Sequence, residues 1–251
     1  AAWEATGEQV YLQSAVKAAE HLTVSFFRVA DGVSHTARGA PAALTGQLRD
    51  NVLFGTALLD LAGATGDRRL LDRAARTGQI VTSRFYDRSA KRFRPLLGSA
   101  GVPAADAGEA AELHENRVNY QAALFLARLS HHTRDAAAKG IAVEVLRTFS
   151  GAYRSFLPQA PLYGMALLWA FGEPVEVHVL ADGGRTQEYL AAAARVFVPL
   201  KVVRVLSLLD DREEIKSYGY RARESAYLCA GKRCSRPVRD SGKLAEELKR
   251  F

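Results

Sequence analysis

The two cysteines are the residues of this chain best suited to redox or metal chemistry. Cys229 and Cys234 are separated by four residues, which include Lys232 and Arg233. Basic neighbours lower a thiol pKa and favour the reactive thiolate. Three interpretations stay open: two reduced thiols that support the fold, which the sequence favours, a local disulfide or redox pair, and half of a metal site. Because a structural metal site needs a second ligand pair and none is present, we predict no metal and no cofactor.

Three further motifs contain residues capable of binding or catalysis, and each has a simpler interpretation. His131-His132 falls at a predicted helix–helix turn without acidic or cysteine neighbours, which indicates a solvent-exposed loop. His178 alternates with apolar residues in a predicted strand, which favours a packed or surface histidine over a ligand. Asp182-Gly183-Gly184-Arg185 lacks both the dinucleotide fingerprint and the P-loop lysine, so we expect a plain turn there.

A basic segment with interleaved tyrosines spans Lys216 to Arg239. It contains seven Lys and Arg residues and one acid, Glu224. Basic residues combined with aromatic ones can contact nucleic acid or an acidic partner surface. No nucleic-acid-binding fold signature accompanies them. We therefore expect a solvated rim and no nucleic-acid partner.

The composition is that of an ordinary globular protein. The 251 residues include 48% hydrophobic and 24% charged residues, with a net charge of +7. These values exclude a disordered, collagen-like or coiled-coil chain. No apolar run approaches the roughly 18 residues that a membrane span needs, and a signal-peptide pattern is missing. Two cysteines are too few for a disulfide framework, so we expect a soluble, cytoplasmic protein without membrane contact.

The N-terminal sequence bears on whether the chain is complete. It opens with Ala1-Ala2-Trp3, and its single methionine is Met165. Ala1 fits a processed product, and a start inside a longer protein fits at least as well. We expect the chain to be a piece of a longer protein, a truncated gene product or a separate subunit.

The hydrophobic periodicity predicts helices in pairs over the first two-thirds of the chain. Apolar residues at spacings of three and four, as at Leu12, Val16 and Ala19, are typical of helices with one buried face. Gly66 and Asp67 fit a helix stop and the next N-cap, so a tight helical hairpin is expected there. The predicted helices span residues 9–29, 45–64 (with Thr45 as N-cap), 68–84, 113–129, 133–150 and 159–171.

The pattern changes near residue 172. Residues 175–180 alternate like a strand, 187–196 are Ala-rich, and 201–206 form a second β-branched run. We therefore predict a βαβ unit, followed by irregular structure over 207–237 and a short charged helix over 241–250. The predicted domains are a helical-hairpin domain over 1–172 and a small α/β subdomain with a cysteine-containing tail over 173–251.

The repeated hairpins predict a fold class. About three hairpins of roughly 45–60 residues each are typical of an α/α toroid or solenoid. A closed six-hairpin toroid needs about twice as many. The predicted fold is therefore mainly α, a partial (α/α) six-hairpin-type toroid followed by a small α/β (βαβ) subdomain.

Four motifs follow one another along the chain. They are Leu48-Arg49-Asp50-Asn51 with Ala64-Thr65-Gly66-Asp67, Phe85-Tyr86-Asp87, His114-Glu115-Asn116, and the tail from Ala226 through Cys229 and Cys234 to Val238. Their order resembles a known family, the thioredoxin-domain-containing proteins with a six-hairpin, glycosidase-like toroid. Its animal members are the spermatogenesis-associated thioredoxin-like proteins, and it has bacterial relatives. Nearly the whole chain is similar to the last third of such a protein. It departs from the family pattern at Asn51, where an aromatic residue is usual, and at His114-Glu115, where Ser-Gly is usual.

The resemblance implies partners as well as a fold. The thioredoxin-like domain and the first toroid hairpins are missing from this chain, so they, or a second copy of the chain, are the expected partners. The toroid implies a sugar-like ligand by analogy of fold alone. We expect a scaffold and ligand-binding wall that is not catalytically complete alone. The alternatives are a carbohydrate-active enzyme, such as a glycoside hydrolase or sugar epimerase, and a redox-responsive interaction module.

A toroid places its site in the funnel where helix N-termini and loops meet. In the enzyme interpretation, the carboxylates of Asp50 and Glu115 act as the acid and base or nucleophile, and His114 moves a proton. The simpler interpretation is that these groups cap helices and loops and are favoured by the helix macrodipole. The residues predicted to bind the ligand are Asp87, Asn116 and Tyr120.

Overall fold

The computed structural model of the chain describes residues 2–36, 47–95, 108–151 and 157–251. Most of these residues are helical, which confirms the prediction of a mainly α fold, and a small mixed sheet accompanies the helices. The α-helices are α1 (Ala2–Thr6), α2 (Gln9–Ser25), α3 (Leu48–Thr65), α4 (Arg68–Ile80), α5 (Gly108–Thr133), α6 (Ala136–Thr148), α7 (Ala160–Phe171), α8 (Gly184–Ala194), α9 (Arg212–Ser217) and α10 (Ser241–Arg250). The strands are β1 (Phe27–Arg28), β2 (Gly32–Val33), β3 (Tyr86–Asp87), β4 (Arg92–Phe93), β5 (Val175–Leu180), β6 (Lys201–Leu206), β7 (Ser225–Ala230) and β8 (Arg233–Cys234). A π-helical turn (Val81–Phe85) follows α4, and a 3₁₀ turn (Leu157–Gln159) precedes α7.

The chain divides into two compact units. The helical unit comprises residues 17–59 and 70–172. The α/β unit comprises residues 1–16, 60–69 and 173–251. None of the helices in the described ranges is long and apolar enough to cross a membrane.

Helix α5 is the central element of the helical unit. Nine of its twelve residues from Val118 to Leu129 are buried, and the other three, Gln121, Leu124 and Arg128, lie partly buried along one face. It packs against α6 and α7. Glycines allow α3 and α4 to approach it, since a Cβ at Gly55 would lie 2.4 Å from the Phe125 ring and one at Gly78 would lie 2.4 Å from Leu129.

The helical unit contains one local structure twice, with its two asparagines 68 residues apart and the strand residues that they contact 60 residues apart. In the first copy, the backbone N–H of Val33 in β2 donates to Asn51 Oδ1 of α3 over 2.9 Å. In the second, the N–H of Phe93 in β4 donates to Asn119 Oδ1 of α5 over 2.7 Å. Both asparagines are fully buried, so a β-hairpin is fixed to the helix that follows it through a side-chain amide.

The helix ends repeat in the same way. Fourteen residues after each asparagine, a threonine hydroxyl donates to the carbonyl four residues earlier, at Thr65 and at Thr133. The next residue has a positive φ, 73° at Gly66 and 58° at Arg134. An aspartate then caps the following helix, and for α6 Asp135 accepts from two backbone N–H groups. The repeat therefore extends through the helix–helix connection.

The α/β unit is built on a four-stranded mixed sheet in the order β6-β5-β7-β8. Strand β5 is parallel to β6 and antiparallel to β7, which is antiparallel to β8. One face bears Val177, Val179 and Leu228 and packs against α8 and α10. The opposite face bears Leu180, Leu206 and Tyr227, and it packs against Ile215, Tyr218 and Tyr220.

Two predictions of local structure are wrong. His131-His132 lies inside α5 rather than in a solvated loop, because the connection to α6 is made by the next two residues, Arg134 and Asp135. His132 is 6% exposed, and His131 Nε2 lies 2.8 Å from the Trp169 carbonyl. Residues 207–237 contain α9, β7 and β8 rather than irregular structure alone. The predicted N-cap Thr45 lies outside the described residues.

Candidate functional site

The two predicted catalytic carboxylates each contact a basic side chain. Asp50 lies in the first turn of α3, with its Oδ2 at 2.9 Å from His35 Nδ1. Glu115 lies on α5, with its Oε1 at 3.1 Å from Arg92 Nη1. The hydrogen bonds and ion pairs of the described residues do not join Asp50 to Glu115. His114, the predicted proton shuttle, is exposed.

Asp87 closes the turn between β3 and β4. Its Oδ1 accepts from the Ser89 hydroxyl at 2.6 Å and from the backbone N–H groups of Ser89 and Ala90. Its Oδ2 accepts from the Arg94 guanidinium. The Ser89 hydroxyl, followed by Arg94, holds the pKa of Asp87 well below its ordinary value. This carboxylate therefore stays ionised and organises the hairpin.

Asn116 and Tyr120 lie one turn apart on α5 and are buried. The Tyr120 ring packs against Phe149 and Tyr163, with centroids at 5.8 and 5.0 Å. Among the residues that the structure describes, neither Asn116 Nδ2 nor the Tyr120 hydroxyl has a hydrogen-bond partner. Burial, together with Tyr163, raises the pKa of Tyr120. Because a buried polar atom without a partner is costly, this pair is open to a polar ligand or to water.

The two cysteines form a disulfide between β7 and β8. Residue 229 pairs directly with residue 234 across the hairpin, and their Cα atoms are 4.1 Å apart. The interpretation as two separate reduced thiols therefore does not hold. The two sulfur-bearing residues differ in access, because Cys229 is 6% exposed while Cys234 is an exposed residue.

A chain of polar side chains leads from the disulfide into the α/β unit. The Tyr220 hydroxyl lies 3.1 Å from Cys229 Sγ and 3.9 Å from Cys234 Sγ. The same hydroxyl lies 2.9 Å from His178 Nδ1, and His178 Nε2 lies 2.7 Å from Glu176 Oε2. We call Glu176, His178 and Tyr220 the relay. His178 is 1% exposed, so its ring is withdrawn from solvent between two polar partners.

Strand register and a helix cap place these groups together. Glu176 and His178 are two residues apart on β5 and so share one face of the sheet, where Glu176 lies opposite Cys229 on β7. Tyr220 follows α9, which ends in a Schellman motif: the Tyr220 N–H donates to the Ile215 carbonyl and the Gly219 N–H to that of Lys216. Gly219 has a φ of 71°, which favours glycine at this position.

Aromatic packing holds Tyr220 in place. Its ring stacks on Tyr227 with centroids 3.8 Å apart and on Tyr218 with centroids 5.1 Å apart. Arg204 Nη1 donates to the Tyr218 hydroxyl over 2.8 Å, and Arg204 Nη2 donates to Glu214. The ring of Tyr218 therefore supports the stack while its hydroxyl accepts from Arg204.

Sequence reasoning identified the cysteines but missed all three residues of the relay. His178 was interpreted as a packed or surface histidine, and Glu176 and Tyr220 were assigned no role. One signal was present, since the alternation in 175–180 puts Glu176 and His178 on the same face of a strand. The described side chains contain no group of three His, Cys, Asp or Glu residues able to hold a metal ion.

Comparison with known proteins does not assign the chain to a family. No protein-family model matches the sequence, and no curated protein matches it either. The functional argument therefore rests on the geometry of the site.

Proposed function

We propose that the α/β unit is a thiol–disulfide module in which the Cys229–Cys234 bond is reversibly reduced. The observation that carries this proposal is the position of the Tyr220 hydroxyl, 3.1 Å from Cys229 Sγ and 2.9 Å from His178 Nδ1. A hydroxyl donor stabilises a thiolate, and a thiolate forms when a disulfide is reduced. The unit thus responds to the redox state of thiols around it.

The difference in exposure gives the two sulfurs different roles. An incoming thiolate attacks the exposed Cys234 Sγ, the S–S bond breaks, and Cys229 leaves as a thiolate beside Tyr220. This step gives a mixed disulfide at Cys234. A second thiolate attacks the external sulfur of that mixed disulfide and releases Cys234. In total, two external thiols are oxidised to one disulfide, and the two protein sulfurs become thiols.

The partners of His178 define where protons are held. An ionised Glu176 only accepts hydrogen bonds, so it keeps a proton on His178 Nε2. In neutral imidazole Nδ1 is then the acceptor for the Tyr220 hydroxyl. When Cys229 becomes a thiolate, the Tyr220 hydroxyl turns its proton from His178 Nδ1 toward the sulfur. The other charged or titratable groups that the described residues bring to this face include Arg204, Glu214, Tyr218 and Tyr227.

The disulfide adds little to the stability of the hairpin that it joins. The two cysteines are only five positions apart, and closing so short a loop contributes about 2 kcal/mol in the chain-entropy model. The hairpin is also held by the backbone, since the Ser235 N–H donates to the Leu228 carbonyl over 2.7 Å. We therefore expect the unit to stay folded when the disulfide is reduced, as a reversible module requires.

The two stacked tyrosines provide the test. We expect Tyr220→Phe to slow reduction of the disulfide by dithiothreitol about tenfold, because a hydrogen bond to a charged group is lost. Tyr218→Phe keeps the stack and removes a hydroxyl that bonds Arg204, so its rate should stay within about twofold of wild type. Both rates are measured by stopping the reaction at successive times, alkylating free thiols and determining the reduced fraction by mass spectrometry. Equal rates in the two variants would remove the relay from the proposal.

A second candidate function concerns the helical unit, which we propose to be a partial six-hairpin toroid acting as one wall of a sugar-binding site. Two features support it, the duplicated hairpin–helix structure and the unpartnered polar atoms of Asn116 and Tyr120. Tyr120→Phe should weaken binding of glucose, mannose or N-acetylglucosamine about tenfold, since buried hydroxyl recognition is lost. Tyr163→Phe is the control, because that hydroxyl donates to the Leu146 carbonyl. Absence of saturable binding in calorimetry contradicts this candidate.

A further inference from the structure

A groove runs along the α/β unit beside the exposed half of the disulfide. It has a volume of about 680 Å³ and lies between β8, the segment that follows it and α10. Cys234 lines this groove, whereas Cys229 does not. Its basic lining residues are Arg233, Arg236, Arg239, Lys243 and Arg250, and its acidic ones are Asp240 and Glu247.

The acidic residues of the groove are already engaged within the protein. Asp240 caps α10, with its Oδ1 accepting from the Gly242 N–H over 2.9 Å. Glu247 pairs with Arg250 at 3.8 Å. In the described part of the chain, Arg236, Arg239 and Lys243 take part in no ion pair. The groove therefore presents positive charge that the protein itself does not neutralise.

The lining favours a peptide over a nucleic acid. Single-stranded nucleic acids need aromatic faces on which bases stack. The one aromatic residue of this groove is Phe251, and the Arg233 guanidinium covers its ring at 5.0 Å. Pro237 and Val238 add a short apolar part to the lining. Guanidinium groups bind carboxylates through paired hydrogen bonds, so Arg236 and Arg239 fit acidic side chains.

We propose that this groove binds an acidic segment of a partner protein and brings a cysteine of that segment to Cys234. The inference rests on the proposed thiol–disulfide function and names its substrate class, a thiol flanked by carboxylates. The partner thiolate forms the mixed disulfide with Cys234 while Cys229 departs as a thiolate. A second partner thiolate then attacks the partner sulfur of this mixed disulfide and Cys234 leaves, so that two partner sulfurs are oxidised to one disulfide and both protein sulfurs are reduced.

The experiment compares two blocked synthetic peptides that each carry one cysteine. In one the cysteine is flanked by Glu and Asp, and in the other by Gln and Asn. We expect the acidic peptide to form the mixed disulfide at Cys234 about tenfold faster at low salt, because complementary charge raises encounter rates. This preference should shrink in about 0.5 M NaCl, where charges are screened.

Paired variants locate the effect. Arg236→Gln with Arg239→Gln should reduce the ratio of the two peptide rates to about one. Lys216→Gln with Lys249→Gln removes the same charge outside the groove and should keep the tenfold ratio. Thermal melts of both double variants verify that they are folded. If the ratio of the two peptide rates falls equally in both double variants, the preference is due to net charge, and the proposal that the groove binds the peptide is overturned.

The remaining outcomes distinguish failure of the groove inference from failure of the proposed thiol–disulfide function. Equal rates for the two peptides in wild-type protein overturn the groove inference and leave thiol exchange intact. Failure of both peptides and of dithiothreitol to open the disulfide contradicts the proposed function itself. A labelled form of the acidic peptide, with Ser in place of its Cys, measures binding to the groove without reaction. If a single-stranded oligonucleotide displaces this labelled peptide at a lower concentration than the unlabelled peptide does, the assignment to an acidic protein segment is overturned.

Discussion

The carboxylates of the two units belong to hydrogen-bond networks that reach different kinds of group. In the helical unit, Asp50, Asp87 and Glu115 each contact a basic side chain of the same unit. In the α/β unit, Glu176 contacts His178, which contacts Tyr220, which contacts the disulfide. The first arrangement neutralises charge and holds loops on helices. The second connects a carboxylate, through His178 and Tyr220, to a disulfide that can be reduced. The contacts of a carboxylate therefore indicate its role better than its residue type does.

The largest effect on stability is expected when the side chains that attach the hairpins to helices in the helical unit are removed. Within the described part of the chain, Asn119 makes three hydrogen bonds through its side chain and Asn51 makes two. We expect Asn119→Ala to lower the free energy of unfolding by about 3 kcal/mol and Asn51→Ala by about 2 kcal/mol, because buried backbone groups lose their partners. Urea denaturation measures both. A loss below about 1 kcal/mol for Asn119→Ala would show that the attachment is not structural.

A smaller effect is expected where the α/β unit positions its relay. Gly219→Ala puts a side chain at a φ of 71°, which costs about 1 kcal/mol of stability, and it should also slow reduction of the disulfide by shifting Tyr220. The matched control is Gly184→Ala, at the start of α8, where a Cβ meets open space. Denaturation and reduction rates test both variants. A normal reduction rate in Gly219→Ala would mean that the Schellman cap does not position Tyr220.

The smallest effect is a dependence of the helical unit on acid. The pKa of Asp87 is lowered in the folded protein, so its contribution to stability is present above its ordinary value of 3.8 and is lost as the pH falls through the lower folded value. Asp87→Asn should therefore reduce stability near pH 6 and have progressively less effect below pH 3.8. Thermal melts across this range test the sign. A variant whose deficit grows on acidification contradicts it.

Helices and strands of the α/β unit were predictable from sequence where hydrophobic periodicity and residue type marked them locally. Strands β5 and β6 and helix α10 begin and end where the sequence predicts, at 175–180, 201–206 and 241–250. Their alternation, β-branched residues and charged face are local signals. Strand β7 was missed because Ser225 to Cys229 is buried throughout, which removes the alternation that marks a strand.

The candidate site was less predictable because it depends on contacts between distant residues. Tyr220 reaches the disulfide only through the turn at Gly219, and Glu176 faces Cys229 only through the register of β5 and β7. The sequence supplied the cysteines and their basic neighbours without showing that the two sulfurs are bonded. In the helical unit, the sequence predicted Asn116 and Tyr120 as ligand-binding residues, and that role stays a prediction.

The measurement that tests the central claim most directly is a titration of the wild-type protein in glutathione and dithiothreitol redox buffers, with free thiols alkylated and counted by mass spectrometry. Redox-active disulfides have midpoints between about −120 and −270 mV, whereas structural ones lie below about −300 mV. We predict reversible gain of two thiols, with a midpoint in the first range and the fold retained. A disulfide that stays closed down to about −300 mV, or a protein that unfolds on reduction, would contradict a thiol–disulfide module.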